Sequence, residues 1–224
     1  MLSGAELHHL ARVLRAEPGD EVVVFDGRGQ RFLARVTSID SHTAELSVIE
    51  TLADEVSPAL EVTIACSPPK GSRTEVLVEK LAELGIARWQ PLILERTPPS
   101  GRPGPGKFQR YERIAEAASK QSGRADLLEI APPVDLDTFA SDPRHEAGVF
   151  GSPASEVTLP AHLAEHAAQT AWSCVLGPEG GLTPKEEALL QHRGFVPVRL
   201  GATVLRIETA AIAAAAHFAA RDPS

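Results

Sequence analysis

From Leu60 to the end of the chain, short apolar runs alternate with stretches in which apolar residues recur at helical spacing. The runs LEVTIACS, QPLILE, LLEIAP, AGVFG, WSCVLG and FVPVRLG read as strands, and helices are predicted over residues 73–84, 108–119, 184–193 and 208–220. Strands regularly separated by helices pair side by side in one direction, so the predicted architecture is α/β with a mostly parallel sheet. Several boundaries carry their own chemistry. Ser72 with Glu75, and Thr183 with Glu186, have capping-box spacing, Pro184 suits a first helical turn, and Gly85 and Gly194 suit helix C-termini.

The first quarter has a different rhythm. Leu7, Leu10, Val13 and Leu14 fall at helical spacing over residues 4–15, and Pro18-Gly19-Asp20 ends that pattern. EVVVFDG, RFLARVTSID and TAELSVIET then read as a β meander or small barrel. The expected organisation is a small β domain over residues 1–55 and an α/β domain over residues 56–224. The segment TPPSGRPGPGK, with four prolines and three glycines, reads as a loop.

Ligands of open α/β sheets bind beyond the carboxyl ends of strands, which directs attention to two loops. The first is Leu176-Gly177-Pro178-Glu179-Gly180-Gly181, between WSCV and the capped helix at Thr183. Its glycines let backbone groups approach a ligand closely, or simply make a tight turn. It contains no phosphate-loop lysine and no G-x-G-x-x-G pattern. The second loop, LGATVLRIETA, runs from Leu200 to Ala210 and places Arg206 and Glu208 at a helix entrance. On its own it reads as a cap and a surface charge.

The net charge of −8 argues mildly against a polyanionic partner, but its distribution matters more. Between Arg96 and Arg124 there are seven cations against two carboxylates. Cys66 and Cys174 lie far apart inside apolar runs and suggest neither a disulfide framework nor a metal site. His8 and His9 match no metal pattern and read as partly buried structural residues, while Lys80 reads as a solvated helix-face residue. No stretch suggests a signal peptide or membrane span, so a cytoplasmic protein is expected.

GPEGG followed by LG-x-x-VLR-x-ETA, in combination with HHLARVLR, FDGRG, KGSRTEVLVEKLAELG, ILERT and SKQSGR, resembles the RsmE family of SPOUT RNA methyltransferases over nearly the whole chain. The resemblance implies a C-terminal trefoil-knot methyltransferase domain, an N-terminal PUA-like β-barrel domain and a homodimer. It further implies S-adenosyl-L-methionine (SAM) as cofactor and, as substrate, N3 of a uridine in 16S ribosomal RNA or the small ribosomal subunit. No metal or membrane is implied. Cofactor contacts would come from Leu176, Gly177, Pro178, Glu179, Gly180, Gly181, Leu200, Gly201, Val204, Leu205 and Arg206. RNA contacts would come from Arg12, Arg15, Lys70, Arg73, Gln121 and Arg124.

Uridine N3 is nucleophilic only as its imide proton leaves. A guanidinium does not serve as a base, so Arg206 is expected to stabilise charge on the uracil oxygens, with Glu208 or Glu179 accepting the proton. Glu179 is equally explained as a carboxylate near a helix N-terminus. Two positions depart from the family pattern, Thr203 standing for arginine and Ile207 for threonine, and the family's N-terminal strand is expected to be missing. The alternatives are a non-catalytic RNA-binding or ribosome-assembly protein and a SPOUT enzyme acting on another RNA.

Overall fold

The computed structural model describes residues 1–26, 30–52, 60–98, 104–124, 126–145 and 148–221. The chain divides into two compact units, Met1–Ser57 and Pro58–Ser224. The domain link expected near residue 55 lies outside the described residues, as does the middle of the proline-glycine loop.

The first unit contains β1 (Leu2–Ser3), α1 (Gly4–His8), β2 (Glu21–Phe25), β3 (Arg31–Ile39) and β4 (Thr43–Leu52). The strands form an antiparallel sheet in the order β1-β4-β3-β2, so the meander is present. β1 pairs Leu2 with Ala44 and Ser3 with Thr43, and so a short strand does precede the HHL segment. The opening helix is shorter than its spacing predicts. After α1 the chain widens into π-type turns over His9–Val13 and then reaches Arg15 at φ 53°. Each wide turn adds a residue and carries later side chains off the apolar stripe. Leu7 and Leu10 are therefore buried with Val36 and Ala44, while Val13 and Leu14 are exposed. His8 and His9 are also exposed, against the expectation of partial burial, because the buried stripe passes through their neighbours Leu7 and Leu10.

The second unit contains β5 (Glu61–Cys66), α2 (Arg73–Glu83), β6 (Arg88–Ile93), α3 (Pro105–Gln121), β7 (Glu129–Ile130), β8 (Val134–Asp135) and α4 (Leu136–Ala140). β9 (Gly148–Gly151), α5 (Leu159–Glu165), β10 (Ala171–Leu176), α6 (Pro184–His192), β11 (Val196–Val198) and α7 (Ile207–Ala219) follow. The sheet order is β11-β9-β10-β5-β6-β7, with β8 on the end of β6, and every pairing in it is parallel. Strands covered on both faces need apolar side chains on both, which explains the unbroken runs seen in the sequence. Ile64, Cys66 and Cys174 pack with α2, α3 and α7 residues such as Leu77, Tyr111 and Phe218. Ala65, Phe150 and Val175 point the other way, onto Phe139 of α4 and Leu190 of α6. Both cysteines are free and buried, and burial pushes the Cys66 thiol up to about 12.

The capping box at Thr183 and Glu186 forms, whereas the one expected at Ser72 and Glu75 does not. Ser72 is itself helical and its carbonyl already accepts from Glu75 and Val76 N–H, so its side chain caps nothing. Glu75 pairs with Arg110 instead, at 2.7 Å. Lys80 lies on the solvated face of α2 between Glu79 and Glu83. Among the described residues no helix is long and apolar enough to cross a membrane.

One buried group makes stability depend on pH. His145 is 4% exposed, stacks on Phe139 and places Nδ1 2.7 Å from Ser173 Oγ. Burial lowers its pKa from 6.5 to about 4. The unfolded chain therefore binds this proton more readily, so the stabilisation is complete above pH 6.5 and is lost as pH falls from there to 4. The loss by pH 4 is about 3 kcal/mol. Urea unfolding between pH 7 and pH 4 should show a shallower decline for His145→Gln than for the wild type.

Candidate active site

Along the sheet the chain moves outward from β5 to β6 and β7 on one side, and reaches β10, β9 and β11 on the other. Its topological switch lies between β5 and β10, whose carboxyl ends meet at Cys66 opposite Leu176. The loops leaving these strands splay apart there and leave a crevice. An open cleft of about 470 Å³ lies in that position, lined by Lys70, Arg73, Arg96, Pro98, Glu179, Gly180 and Arg206.

The GPEGG loop owes its shape to close backbone packing. A Cβ at Gly177 would lie 2.7 Å from Leu182 N and 2.9 Å from Gly181 C, so no side chain fits without moving the main chain. Gly181 takes φ +69° and its N–H donates to the Pro178 carbonyl at 2.8 Å. Arg96 Nη1 donates to the Gly180 carbonyl at 2.6 Å and reaches the Leu182 carbonyl at 3.4 Å, tying the loop after β6 to this turn. Glu186 adds a second tie. One of its carboxylate oxygens accepts from Thr183 N–H within the capping box, while the other accepts from Glu95 N–H at 2.8 Å.

Arg73, at the start of α2, reaches Glu208 at 3.3 Å and Glu179 at 3.6 Å. It bridges the β10 loop and the start of α7. Glu208 is 9% exposed, and its Oε2 is buried without a hydrogen-bond partner among the described residues. Arg206 occupies the N-cap position of α7 in extended conformation, exposed. Among the described residues neither it nor Lys70 has a carboxylate partner, since Arg73 takes both Glu179, which lines the cleft, and the buried Glu208.

Beside the charged cleft lies an apolar corner. A Cβ at Gly151, the last residue of β9, would meet Leu176 Cδ2 at 2.9 Å and Leu200 Cδ1 at 3.6 Å. Leu205 turns back to within 3.7 Å of the same position on Gly201. At the ends of β9, β10 and β11 the glycines thus let Leu176, Leu200 and Leu205 pack closely against main chain. Such a surface can hold a flat, partly polar molecule through main-chain groups.

A model of the RNA methyltransferase domain family matches residues 56–219, and one of the RNA methyltransferase PUA domain matches residues 2–49. Ribosomal RNA small subunit methyltransferase E of Synechocystis sp. is 35% identical over 219 residues, covering 96% of this chain and 71% of that protein. The chain belongs to the ribosomal RNA small subunit methyltransferase E family. Its fold agrees with that of the family member from Neisseria gonorrhoeae bound to S-adenosyl methionine, at TM-score 0.82 and 30% identity, covering 96% of this chain and 88% of that one. A methyltransferase of Legionella pneumophila in complex with SAM matches at TM-score 0.82 and 30% identity, over 98% of this chain and 90% of that one.

Within this methyltransferase fold the expected residues separate into groups. Lys70, Arg73, Glu179, Gly180 and Arg206 line the cleft, while Leu176 and Leu200 belong to the apolar corner. Val204 is 81% exposed at the tip of its loop and touches neither. Arg12 and Arg15 are exposed on the first unit, and Gln121 is exposed at the end of α3. Arg124 turns inward instead, its Nη1 donating to the Ala82 carbonyl at 2.7 Å, and burial lowers its pKa. That bond lies near the C-terminus of α2, whereas Arg73 opens the helix, so the SKQSGR motif is not brought to this cleft.

Of the two departures, Ile207 is 3% exposed and packs in the main core, while Thr203 is exposed. Sequence reasoning did not assign Arg96, Pro98 or Gly151 to the site. Gly151 carried a legible signal, a glycine at the carboxyl end of a predicted strand. Arg96 stood in the ILERT motif and at the start of the cation-rich segment, but nothing local pointed it at the GPEGG turn.

Proposed function

We propose that this chain methylates N3 of a uridine in 16S ribosomal RNA, using SAM. The convergence of the GPEGG loop, Arg206 and the Gly151 corner at one switch point carries the reading, because it joins a close-approach backbone surface to a cation that no carboxylate among the described residues neutralises. The fit to the cofactor rests on the turn at Gly177 and the strand end at Gly151, where a Cβ would strike Leu182 N and Leu176, so that only glycine keeps these main-chain segments in their present packing. Main-chain groups of residues 176–181 and 200–205 would hold the adenosine, with Leu176, Leu200 and Leu205 as walls. When bound, the cofactor supplies an electrophilic methyl on a sulfonium, which an imide nitrogen takes up once its proton leaves.

The protein's part is to promote that loss. Arg206 stabilises the negative charge that develops on the uracil oxygens. Glu179, which lines the cleft, or Glu208, whose Oε2 Arg73 leaves free but which is buried beside it, accepts the proton. Arg73 thus acts as a positioning residue for Glu208 and not primarily as an RNA contact. Lys70 and the exposed Arg12, Arg15 and Gln121 bind the RNA, whose target base leaves its stack to reach the site. The reading includes the trefoil knot, a homodimer, a cytoplasmic setting and the small ribosomal subunit as partner. The knot is supported by the segment after β11 running beside residues 157–159, with Arg199 N–H donating to Val157 at 2.8 Å and Leu159 N–H to Arg199 at 3.0 Å.

Calorimetric titration with SAM, with and without 16S rRNA, tests the enzyme reading against a non-catalytic assembly protein. Saturable binding is expected. A folded protein that binds the RNA but never SAM would overturn it.

A further inference from the structure

The helix α5 ends in a group of side chains that methyl transfer does not use. His162, Glu165 and His166 each offer one ligand atom, and these atoms lie within 4.8 Å of one another. His162 is 8% exposed and packs its ring against those of His166 and Trp172. His166 Nδ1 lies 2.8 Å from the His162 carbonyl oxygen. A carbonyl only accepts, so Nδ1 carries the proton and Nε2 keeps its lone pair directed elsewhere. Metal-binding imidazoles are oriented by this kind of bond.

We propose that His162, Glu165 and His166 form a binding site for a zinc-class divalent cation, separate from the cofactor cleft. His162 in the last turn of α5 and His166 at its C-cap bring two imidazoles side by side, and two imidazoles with a carboxylate make a set common for zinc with one position left to water. Bonds of about 2.0–2.1 Å imply a ligand-to-ligand edge of about 3.3 Å, so the set has to contract. Glu165 and His166 are exposed and can swing toward the buried His162. Arg221 donates to the His166 carbonyl and lies over the Trp172 ring, which steadies the turn. Trp172 stands near the amino end of β10, whereas the cleft opens beyond the carboxyl end of the same strand, roughly 15 Å away.

Trp172 reports on the site, its ring centroid lying 5.6 Å from that of His162 and 6.1 Å from that of His166. Untagged, chelator-treated full-length protein should bind one Zn²⁺ per chain in calorimetric titration with zinc chloride, and Co²⁺ should quench the Trp172 emission in the same ratio. His166→Gln removes an exposed ligand and should weaken Zn²⁺ binding by more than about 100-fold, since even loss of a ligand's supporting partner costs 10- to 100-fold. Glu165→Gln should also weaken it, with circular dichroism unchanged in both. The proposal is overturned if no saturable binding occurs. It is equally overturned if binding survives His166→Gln and is lost on replacing the exposed His8 and His9.

Discussion

Replacing Gly177 with alanine should weaken SAM binding by roughly ten- to a hundredfold while leaving the chain folded. The added methyl would meet main-chain atoms on the same loop, Leu182 N at 2.7 Å and Gly181 C at 2.9 Å, and main chain cannot swing aside as a flexible side chain does. Overpacking of this kind costs about 1–3 kcal/mol, which the GPEGG turn absorbs by opening. Gly180 provides the contrast, for a Cβ there meets only the Arg96 side chain, at 3.1 Å. Gly180→Ala should therefore lose less than about tenfold, within what one displaced side chain accounts for. Calorimetry on the two variants checks both. Equal affinities for Gly177→Ala and the wild type would remove the GPEGG loop from the cofactor site.

Arg206→Ala should reduce the methyl-transfer rate by about 10²–10³ while SAM affinity changes only a few-fold, the loss typical of removing one donor from a charge-stabilising site. The expectation rests on Arg73 taking Glu179 and Glu208, which leaves Arg206 as a cleft cation without a carboxylate partner among the described residues. Arg206→Lys should recover only part of the rate, because an ammonium cannot present the planar pair of donors that suits an anionic uracil edge. Single-turnover transfer to 16S rRNA at saturating SAM separates the chemical step from binding. A rate loss below tenfold would make Arg206 a helix-cap residue and nothing more.

What was legible in the sequence divides by the range of the forces involved. The parallel sheet and the helix starting at Thr183 follow from local patterns, and both are present. The strand order does not follow from such patterns, because it depends on which strands pair across long separations, and only that order puts Cys66 opposite Leu176. Arg73 shows the same limit within the site. Three residues after Lys70 in sequence it reads as an RNA contact, but its acidic partners Glu179 and Glu208 lie more than a hundred residues away. Arg124 turns toward a helix end that no local pattern connects to it. Two short helices were missed although their starts were marked, α4 by Asp135 accepting from Thr138 N–H and α5 by Thr158 accepting from Ala161 N–H. With α5 unread, the His162-x-x-Glu165-His166 spacing had no helix to give it meaning.

The central claim concerns one bond, between a methyl carbon and uridine N3. The purified protein, incubated with unmodified small subunits or 16S rRNA and isotopically labelled SAM, should yield labelled 3-methyluridine when the RNA is digested and its nucleosides are resolved by mass spectrometry. Arg206→Ala should yield far less in the same time. Label found in another nucleoside or on ribose, or none from a protein that binds SAM, would contradict the account.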